Sequence, residues 1–435
     1  MNARTGSVLR KVAAGLGIFG AVVLVVDIAA TLVTGRTLRR EMAETFAMLG
    51  VESHEEFVAK FKADMCSQKV ENDRNAVASY VAAAAVLDTA PEMVDQALAD
   101  ISSPQVEATE EQKDAARKYL EEHPEVLRLA ADGANKPSVY FERDWSAGWD
   151  MQLRELAGMR QLTRAVCTAA ILHHEDGKEE SAQGLLGIGM RISSSLDEDP
   201  LLISALVRMA TLAMCTHTLE RVISEEEVHP APAHAILAGL DAEGVRDGMT
   251  KALIGEMYFG LHAFQNFSGE LDPSMTPGIY ERGMAAPVRN VDMAAYARYM
   301  RGMIEASREP WVQTKTDEEV LAGIPKTAVL TKLLVPTLSR VILQRDRYIA
   351  HSDCAAAAVR LKQYKQEHGE YPDELPAEIA VDDPFSGGPL LYKRDGAGFV
   401  VYSVGENLTD DGGVWAEGDS TDERFSKDIA FRCRN

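Results

Sequence analysis

The strongest chemical signal in this chain is an acidic, glycine-rich segment near the C-terminus, residues 400–428, which begins VVYSVGENLTDDGG. Between residues 406 and 428, eight acidic residues stand against two basic ones. These carboxylates repel one another unless a cation or water screens them. Calcium binds about six to eight oxygen atoms from carboxylates and main-chain carbonyls, and Gly412 and Gly413 permit a tight backbone path. The segment therefore indicates a calcium loop, with a solvated acidic turn that holds no metal as the alternative.

Other residue patterns give little indication of catalysis. The sequence contains no G-x-S-x-G, no P-loop and no strand-linked G-x-G-x-x-G. The glycines of residues 184–190, GLLGIGM, lie in an amphipathic pattern that indicates close helix packing. Asp382 and Asp383 would be able to act as an acid and base pair, but Asp-Pro-Phe-Ser-Gly-Gly predicts a turn. We therefore expect a protein that is not an enzyme.

Histidine and cysteine spacing predicts neither a zinc site nor a disulfide framework. There is no H-E-x-x-H, and His217, His229, His234 and His262 share no obvious helical face. The cysteines are too few and too scattered for a disulfide scaffold.

Individual cysteines have different predicted roles. Cys167 and Cys215 occupy apolar helical positions and are predicted core residues. Cys354 and Cys433 both belong to the C-terminal region and would be able to pair if that region lies outside the cytoplasm.

Residues 12–33, VAAGLGIFGAVVLVVDIAATLV, form an apolar segment with basic residues on both sides. A helix of this length spans roughly 33 Å, which is enough to cross the hydrocarbon layer of a membrane. The segment predicts a transmembrane helix, with a cleaved signal peptide as the alternative. The short tail of residues 1–11 favours a cytoplasmic N-terminus, so that the bulk of the chain lies outside the cytoplasm.

Composition excludes two classes of protein. Hydrophobic residues make up 46% and charged residues 26% of the chain, which indicates a packed protein rather than a disordered one. The formal net charge of −22 would repel phosphate backbones, so nucleic acid is not an expected partner.

The middle of the chain is predicted to be helical. Apolar residues recur at spacings of three and four, most clearly over residues 150–224, where short acidic turns separate three helices of about 20 residues. Short connections favour antiparallel neighbours. We expect a mainly α, multi-helical fold of antiparallel hairpins, or a solenoid-like array whose concave surface binds a peptide.

After Gly369 the helical spacing of apolar residues ends and strand-like segments follow. The segments PLLYKR and GFVVYSV are predicted strands, and Asp395-Gly396-Ala397-Gly398 between them predicts a hairpin. A long helix that leads into a small antiparallel sheet forms an α+β module.

Several short motifs in this region occur in a characteristic order over residues 355–430: AAVRLKQYKQEHGEYPDEL, DDPFSGGPLLYKRDGAGFVVYSVGEN, DDGG and KDI. Together they resemble the C-terminal domain of the type II secretion system major pseudopilin. The resemblance implies a long helix, a Tyr-containing hairpin and an acidic loop that binds Ca²⁺. The N-terminus lacks the processing motif of that family.

The resemblance also implies calcium ligands. The Val404 carbonyl takes the place of a main-chain ligand, Asn407 stands where the family usually has Asp, and Asp428 stands in the closing Asp-Ile. Asp410 and Asp411 have no fixed counterpart but lie in the same loop. Because Asn407 replaces a carboxylate, it keeps an oxygen ligand and removes one charge.

The whole chain resembles a group of bacterial membrane-anchored helical proteins that carry such a head after a long helical region, which here includes Asp144–Leu156. The expected organisation is a cytoplasmic tail (1–11), a transmembrane helix (12–33), a multi-helical extracytoplasmic domain (34–340) and a pseudopilin-like α+β module (341–435). We expect a single-pass protein of the bacterial inner membrane.

The expected function is a scaffold that binds a protein or peptide partner in the cell envelope, without catalysis. Two alternatives remain open: an accessory component of a type II secretion or pilus-like assembly, and an envelope hydrolase with a dispersed site.

Overall fold

The computed structural model describes residues 28–65, 68–145, 147, 151–266, 286–310, 323–414 and 427–434. Within these ranges the chain is mainly helical, with a small three-stranded antiparallel sheet near its C-terminus, which confirms the predicted fold class at this level. The tail 1–11 and residues 12–27 of the predicted transmembrane helix lie outside the described residues, whereas residues 28–33 are helical.

The helices and strands are numbered here along the chain. Residues 28–48 are helical and are named α1. The helices that follow are α2 (His54–Lys60, continued by the π-helical turn Phe61–Met65), α3 (Ala76–Leu87), α4 (Glu92–Ile101), α5 (Glu110–Glu122), α6 (Glu125–Ala134), α7 (Arg154–Glu175), α8 (Glu179–Ser194), α9 (Leu202–Ile223), α10 (Pro230–Gly239), α11 (Ala242–Asn266), α12 (Ala286–Ser307) and α13 (Val329–His368). The strands are β1 (Leu391–Asp395), β2 (Gly398–Ser403) and β3 (Ile429–Cys433).

The described residues divide into two compact units. The first unit comprises residues 28–60, 257–266, 286–303 and 323–339, and the second comprises the remaining described residues. The predicted domain bounds at 33/34 and 340/341 stay a prediction.

Polar contacts between helices organise the first unit. Arg301 of α12 pairs with Glu41 at 3.1 Å and with Glu44 at 2.9 Å, and both acids belong to α1. The buried Asp292 carboxylate accepts hydrogen bonds from the Thr331 main-chain N–H at 3.0 Å and from its hydroxyl at 2.6 Å. Asp292 thus satisfies a main-chain donor in the first turn of α13, which the helix itself leaves without an acceptor.

The second unit has its core around α7, α8 and α9. These helices occupy the region 150–224 where the sequence predicts three helices, so this prediction is confirmed. Their apolar side chains belong to one hydrophobic cluster. Cys167 and Cys215 lie within it as predicted, with their sulfur atoms 3.9 Å apart.

Among the described helices, α9 is the one long and apolar enough to cross a membrane, with a mean hydropathy of 1.4 over its most apolar window. About three-fifths of that window (61%) is buried inside the protein. Arg208 is buried on this helix and pairs with Asp197 at 3.1 Å. This burial shows that α9 is a core helix of the second unit, and a core position explains its apolar composition.

The three strands form a sheet in the order β1–β2–β3, with both pairs antiparallel. The predicted hairpin is confirmed, because Asp395 pairs with Gly398 across the loop of Gly396 and Ala397. Gly396 has a φ of 61°, which glycine adopts without steric cost. The sequence pattern did not predict β3.

The sheet and the helices of the second unit share one core. Phe399, Val401 and Phe431 belong to the same hydrophobic cluster as α7–α9 and the alanine run 355–358 of α13. Cys354 and Cys433 lie in this cluster as buried free thiols, so the disulfide considered as an alternative is not formed. The Cys354 thiol donates to the Ile429 carbonyl at 3.5 Å.

Glycines let neighbouring helices approach closely. A Cβ atom at Gly187 of α8 would lie 2.9 Å from the Ala235 Cβ of α10, which confirms the packing role predicted for this glycine-containing helix. A Cβ at Gly255 of α11 would overlap the Pro200 carbonyl oxygen just before α9. Because a backbone atom cannot move aside cheaply, Gly255 is the least replaceable of these positions.

We expect Gly255→Ala to destabilise the second unit by roughly 1–3 kcal/mol, as overpacking of a filled core does. The measurement is the melting temperature of the purified full chain in detergent. Gly184→Ala is the matched control on α8, because, apart from the backbone of α8 and the adjacent residues, no described atom lies within 4 Å of the added methyl group. The control should be neutral or slightly stabilising, by up to about 1 kcal/mol. Equal melting temperatures for both variants would contradict this account.

The start of α9 has an acidic partner on α11. The Glu256 carboxylate accepts a hydrogen bond from the Leu202 main-chain N–H, which favours the charged form. Burial disfavours that form more strongly and raises the pKa of Glu256 above its usual range. The folded protein therefore retains a proton on Glu256 at pH values where the unfolded chain has lost it.

This difference predicts a pH dependence of stability. The free energy of unfolding should fall as the pH rises from about 4.3, the pKa of an unfolded Glu, up to the raised pKa of the folded state. Glu256→Gln keeps an acceptor for Leu202 and has no charge, so it should melt above wild type at pH 8 and close to it at pH 4. Glu92→Gln, at an exposed site on α4, is the control and should show no such difference between the two pH values.

Candidate functional site

A cavity of about 810 Å³ lies in the second unit, next to α9, β3 and the connection between α4 and α5. Apolar side chains such as Ile101, Ile171 and Ala430 form part of its wall. The other part is charged, with three acids and three arginines: Glu107, Glu220, Glu225, Arg221, Arg432 and Arg434. This combination of apolar surface and a few converging polar groups is typical of ligand sites.

Where α9 meets β3, the spacing of side chains along the helix matches the spacing of N–H groups along the strand. Glu220 accepts a hydrogen bond from the Arg432 main-chain N–H at 3.0 Å, and the Ser224 hydroxyl accepts one from the Arg434 N–H at 3.1 Å. Two residues along a strand rise about 6.8 Å, and four residues along a helix rise about 6 Å. Side chains one helical turn apart therefore satisfy alternate N–H groups of the edge strand. This contact covers an edge that would otherwise pair with another chain.

Three side chains of the kind that bind metals meet beside this wall. His217 and Glu220 stand three residues apart on α9, so they share one helical face, and His351 of α13 completes the group. Each offers one ligand atom, and these atoms all lie within 4.8 Å of one another. The His217 and His351 rings have centroids 4.7 Å apart. Within the described part of the chain, this is the group of His, Cys, Asp and Glu side chains with metal-site geometry.

The electrostatics of this group are set mainly by burial. Burial raises the pKa of Glu220 to about 7, while the hydrogen bond from the Arg432 main chain and the positive charges of Arg432 and Arg434 act in the opposite direction. The Glu220 carboxyl can therefore gain or lose a proton near neutral pH.

Sequence reasoning missed this site. His217 and Glu220 form an H-x-x-E pair that was visible in the sequence, but a spacing of three on one helix is common. Their third partner, His351, lies far along the chain on another helix, where no local spacing connects it to the pair.

The predicted calcium ligands lie around one loop after β2. The buried Asp428 carboxylate accepts from the main-chain N–H groups of Asp411 at 3.2 Å and Gly413 at 2.6 Å. The Asn407 amide donates to the Asp411 carboxylate at 2.9 Å. Burial raises the pKa of Asp428, and the two N–H groups lower it. These contacts bring Asn407, Asp411 and Asp428 together.

Asp410 and the Val404 backbone, the other two predicted ligand positions, make contacts outside this group. Asp410 accepts from the Tyr402 hydroxyl at 3.1 Å and from the Gly412 N–H at 2.9 Å. Val404 donates its N–H to Asp383 at 3.2 Å. Residues 415–426 of the same loop lie outside the described residues, and the calcium role of the loop stays a prediction.

Asp383 joins two of the motifs recognised in the sequence. Its buried carboxylate accepts from the Phe385 N–H at 3.0 Å and the Ser386 hydroxyl at 3.0 Å, both within the Asp-Pro-Phe-Ser turn. It also accepts from the Ser403 hydroxyl at 2.7 Å and the Val404 N–H at 3.2 Å, at the end of β2. The predicted turn is confirmed, and Asp383 is a structural residue that fixes the turn against the sheet.

Comparisons of the chain with protein-family models, with curated proteins and with solved structures give no match. The resemblance to the major pseudopilin family therefore stays a prediction.

Asp383→Ala should destabilise the C-terminal sheet by at least about 3 kcal/mol, because four donors would lose an acceptor in a buried site. Asp382→Ala is the matched control, since that neighbouring side chain is exposed, and it should change stability by less than about 0.5 kcal/mol. Thermal unfolding and hydrogen exchange at the Phe385 and Val404 amides measure the effect. Unchanged protection of these amides in Asp383→Ala would show that the network does not hold the turn.

Proposed function

We propose that the chain is a single-pass protein of the bacterial inner membrane whose extracytoplasmic part binds a protein or peptide partner in the cell envelope, without catalysis. The observation that carries this proposal is the cavity of about 810 Å³ beside α9 and β3. Its volume lies in the usual range for ligand sites, about 300–1,000 Å³. Interleaved acids and arginines on an apolar wall suit a short peptide segment, which offers charged ends, amide groups and apolar side chains.

Exposed apolar residues at the start of α1 support the membrane anchor. Ile28, Leu32 and Val33 are 50%, 57% and 63% exposed, and they belong to the last turns of the predicted span 12–33. Arg36 and Arg39 follow on the same helix and are also exposed. An apolar stretch followed by basic residues is typical of a helix where it leaves a bilayer.

The C-terminal architecture supports a pseudopilin-like head. The long helix α13 leads into the Asp-Pro-Phe turn and the antiparallel sheet, in the order that the resemblance implies. In this proposal Val404, Asn407, Asp410, Asp411 and Asp428 hold Ca²⁺, which stabilises the loop after β2. The metal has a structural role here and takes no part in a reaction.

The partner site can be tested by photo-crosslinking in intact cells. A photoreactive amino acid at Val106, which lines the cavity and is 46% exposed, should give a discrete adduct. The same residue at Met93, which is 56% exposed on α4 away from the cavity wall, is the matched control and should give none. Glu225→Arg, which changes the charge of the cavity wall, should reduce the adduct at Val106. Equal crosslinking at both positions, or none at Val106, would refute the partner site.

The calcium role is tested on the purified full chain in detergent. Millimolar Ca²⁺ should raise the melting temperature relative to a chelator, because a bound ion stabilises the folded state alone. Asp411→Asn should weaken the response, whereas Asp395→Asn, at the end of β1 and outside the acidic segment, should retain it. An unchanged melting temperature across this calcium range would disprove the calcium part and leave the partner site untouched.

A further inference from the structure

His217, Glu220 and His351 offer a chemistry that binding of a peptide does not require. We propose that these three side chains bind a divalent transition-metal ion of the zinc class at the wall of the cavity, with one coordination position open to it. This inference goes beyond the proposed function and does not depend on it.

The geometry of the three ligands is close to what such an ion needs. Ligand atoms around a tetrahedral zinc ion lie about 3.3–3.5 Å apart, given metal–ligand distances of about 2.0–2.2 Å. In this structure the three atoms all lie within 4.8 Å of one another, so side-chain rotations that move them by roughly 1 Å are enough. Two helices carry the ligands, α9 and α13, and helices position side chains more firmly than loops do.

Hydrogen bonds orient two of the ligands. The Thr216 hydroxyl lies 3.1 and 3.0 Å from the Leu212 and Ala213 carbonyls and 3.0 Å from His351 Nδ1. With its one proton shared between the two carbonyls, its oxygen accepts the hydrogen bond from His351 Nδ1. The proton of this imidazole is then on Nδ1, and Nε2 is the nitrogen that carries a lone pair. Glu220 Oε1 is held by the Arg432 main-chain N–H. Such supporting hydrogen bonds are typical of metal ligands.

The ligand types select the metal. Two imidazole nitrogens and one carboxylate suit zinc and its neighbours in the first transition row, whereas calcium and magnesium prefer oxygen ligands alone. Three protein ligands leave a fourth position of a tetrahedral site for water or another small ligand. Because His217 and Glu220 line the cavity, this fourth position faces it. The site differs in both ligands and position from the predicted calcium loop.

The test uses the purified full chain in detergent after removal of metals with EDTA. Titration with ZnCl₂ should show one tightly bound equivalent, and Co²⁺ in its place should give the intense visible absorption of a tetrahedral site. His217→Ala and His351→Ala should abolish this equivalent. Glu220→Gln, whose amide oxygen still accepts from Arg432, should weaken zinc binding by at least about tenfold.

Two controls keep the test decisive. His173→Ala removes a half-buried histidine of α7 that lies outside the group, and it should leave zinc binding unchanged. Because His351 is buried, His217→Ala and Glu220→Gln decide the outcome if His351→Ala does not fold. The inference fails if no stoichiometric zinc binds, or if folded His217→Ala and Glu220→Gln bind zinc as wild type does. It also fails if millimolar Ca²⁺ displaces the zinc.

Discussion

The burial of a three-stranded sheet that is too small to form a core of its own governs the second unit. A sheet this small is stabilised by its apolar face, which here is buried against a helical layer. Here Phe399, Val401 and Phe431 enter the same hydrophobic cluster as α7–α9 and the alanines of α13. Removing either partner would expose the apolar face of the other, so the sheet and the helices are stable only together.

Helix α9 carries two surfaces as a consequence of this packing. Its apolar residues face the core, and at its C-terminal end Glu220 and the following Ser224 accept hydrogen bonds from the N–H groups of Arg432 in β3 and Arg434 just after it. A cavity lies beside this junction. His217 and Glu220 lie on the polar surface of α9, and α13 brings His351 to them. The same contact that protects the sheet edge thus creates the candidate site.

Local chemistry made a good part of this structure predictable. The helices over 150–224 followed from apolar spacing, the β1–β2 hairpin from its Gly-rich loop, and the turn at Asp383 from the Asp-Pro-Phe-Ser-Gly-Gly sequence. Strand β3 was not predicted, because five residues next to an acidic segment give little signal before they pair with β2. The group of His217, Glu220 and His351 was missed for a related reason, since its members lie close together only when α9 and α13 pack against each other.

The sequence by itself determined the helical class, the small C-terminal sheet, the close approach at Gly187 and the clustering of acids after β2. These properties depend on residues near one another in the chain, whose side-chain period, volume or charge acts over a few positions. Only the tertiary structure decided that the sheet shares its core with α7–α9, that α9 covers the edge of β3, and that His351 joins His217 and Glu220. These contacts join segments that are distant in the chain. They form because the apolar faces of the sheet and of the helices are buried against each other, and a local sequence pattern cannot predict this.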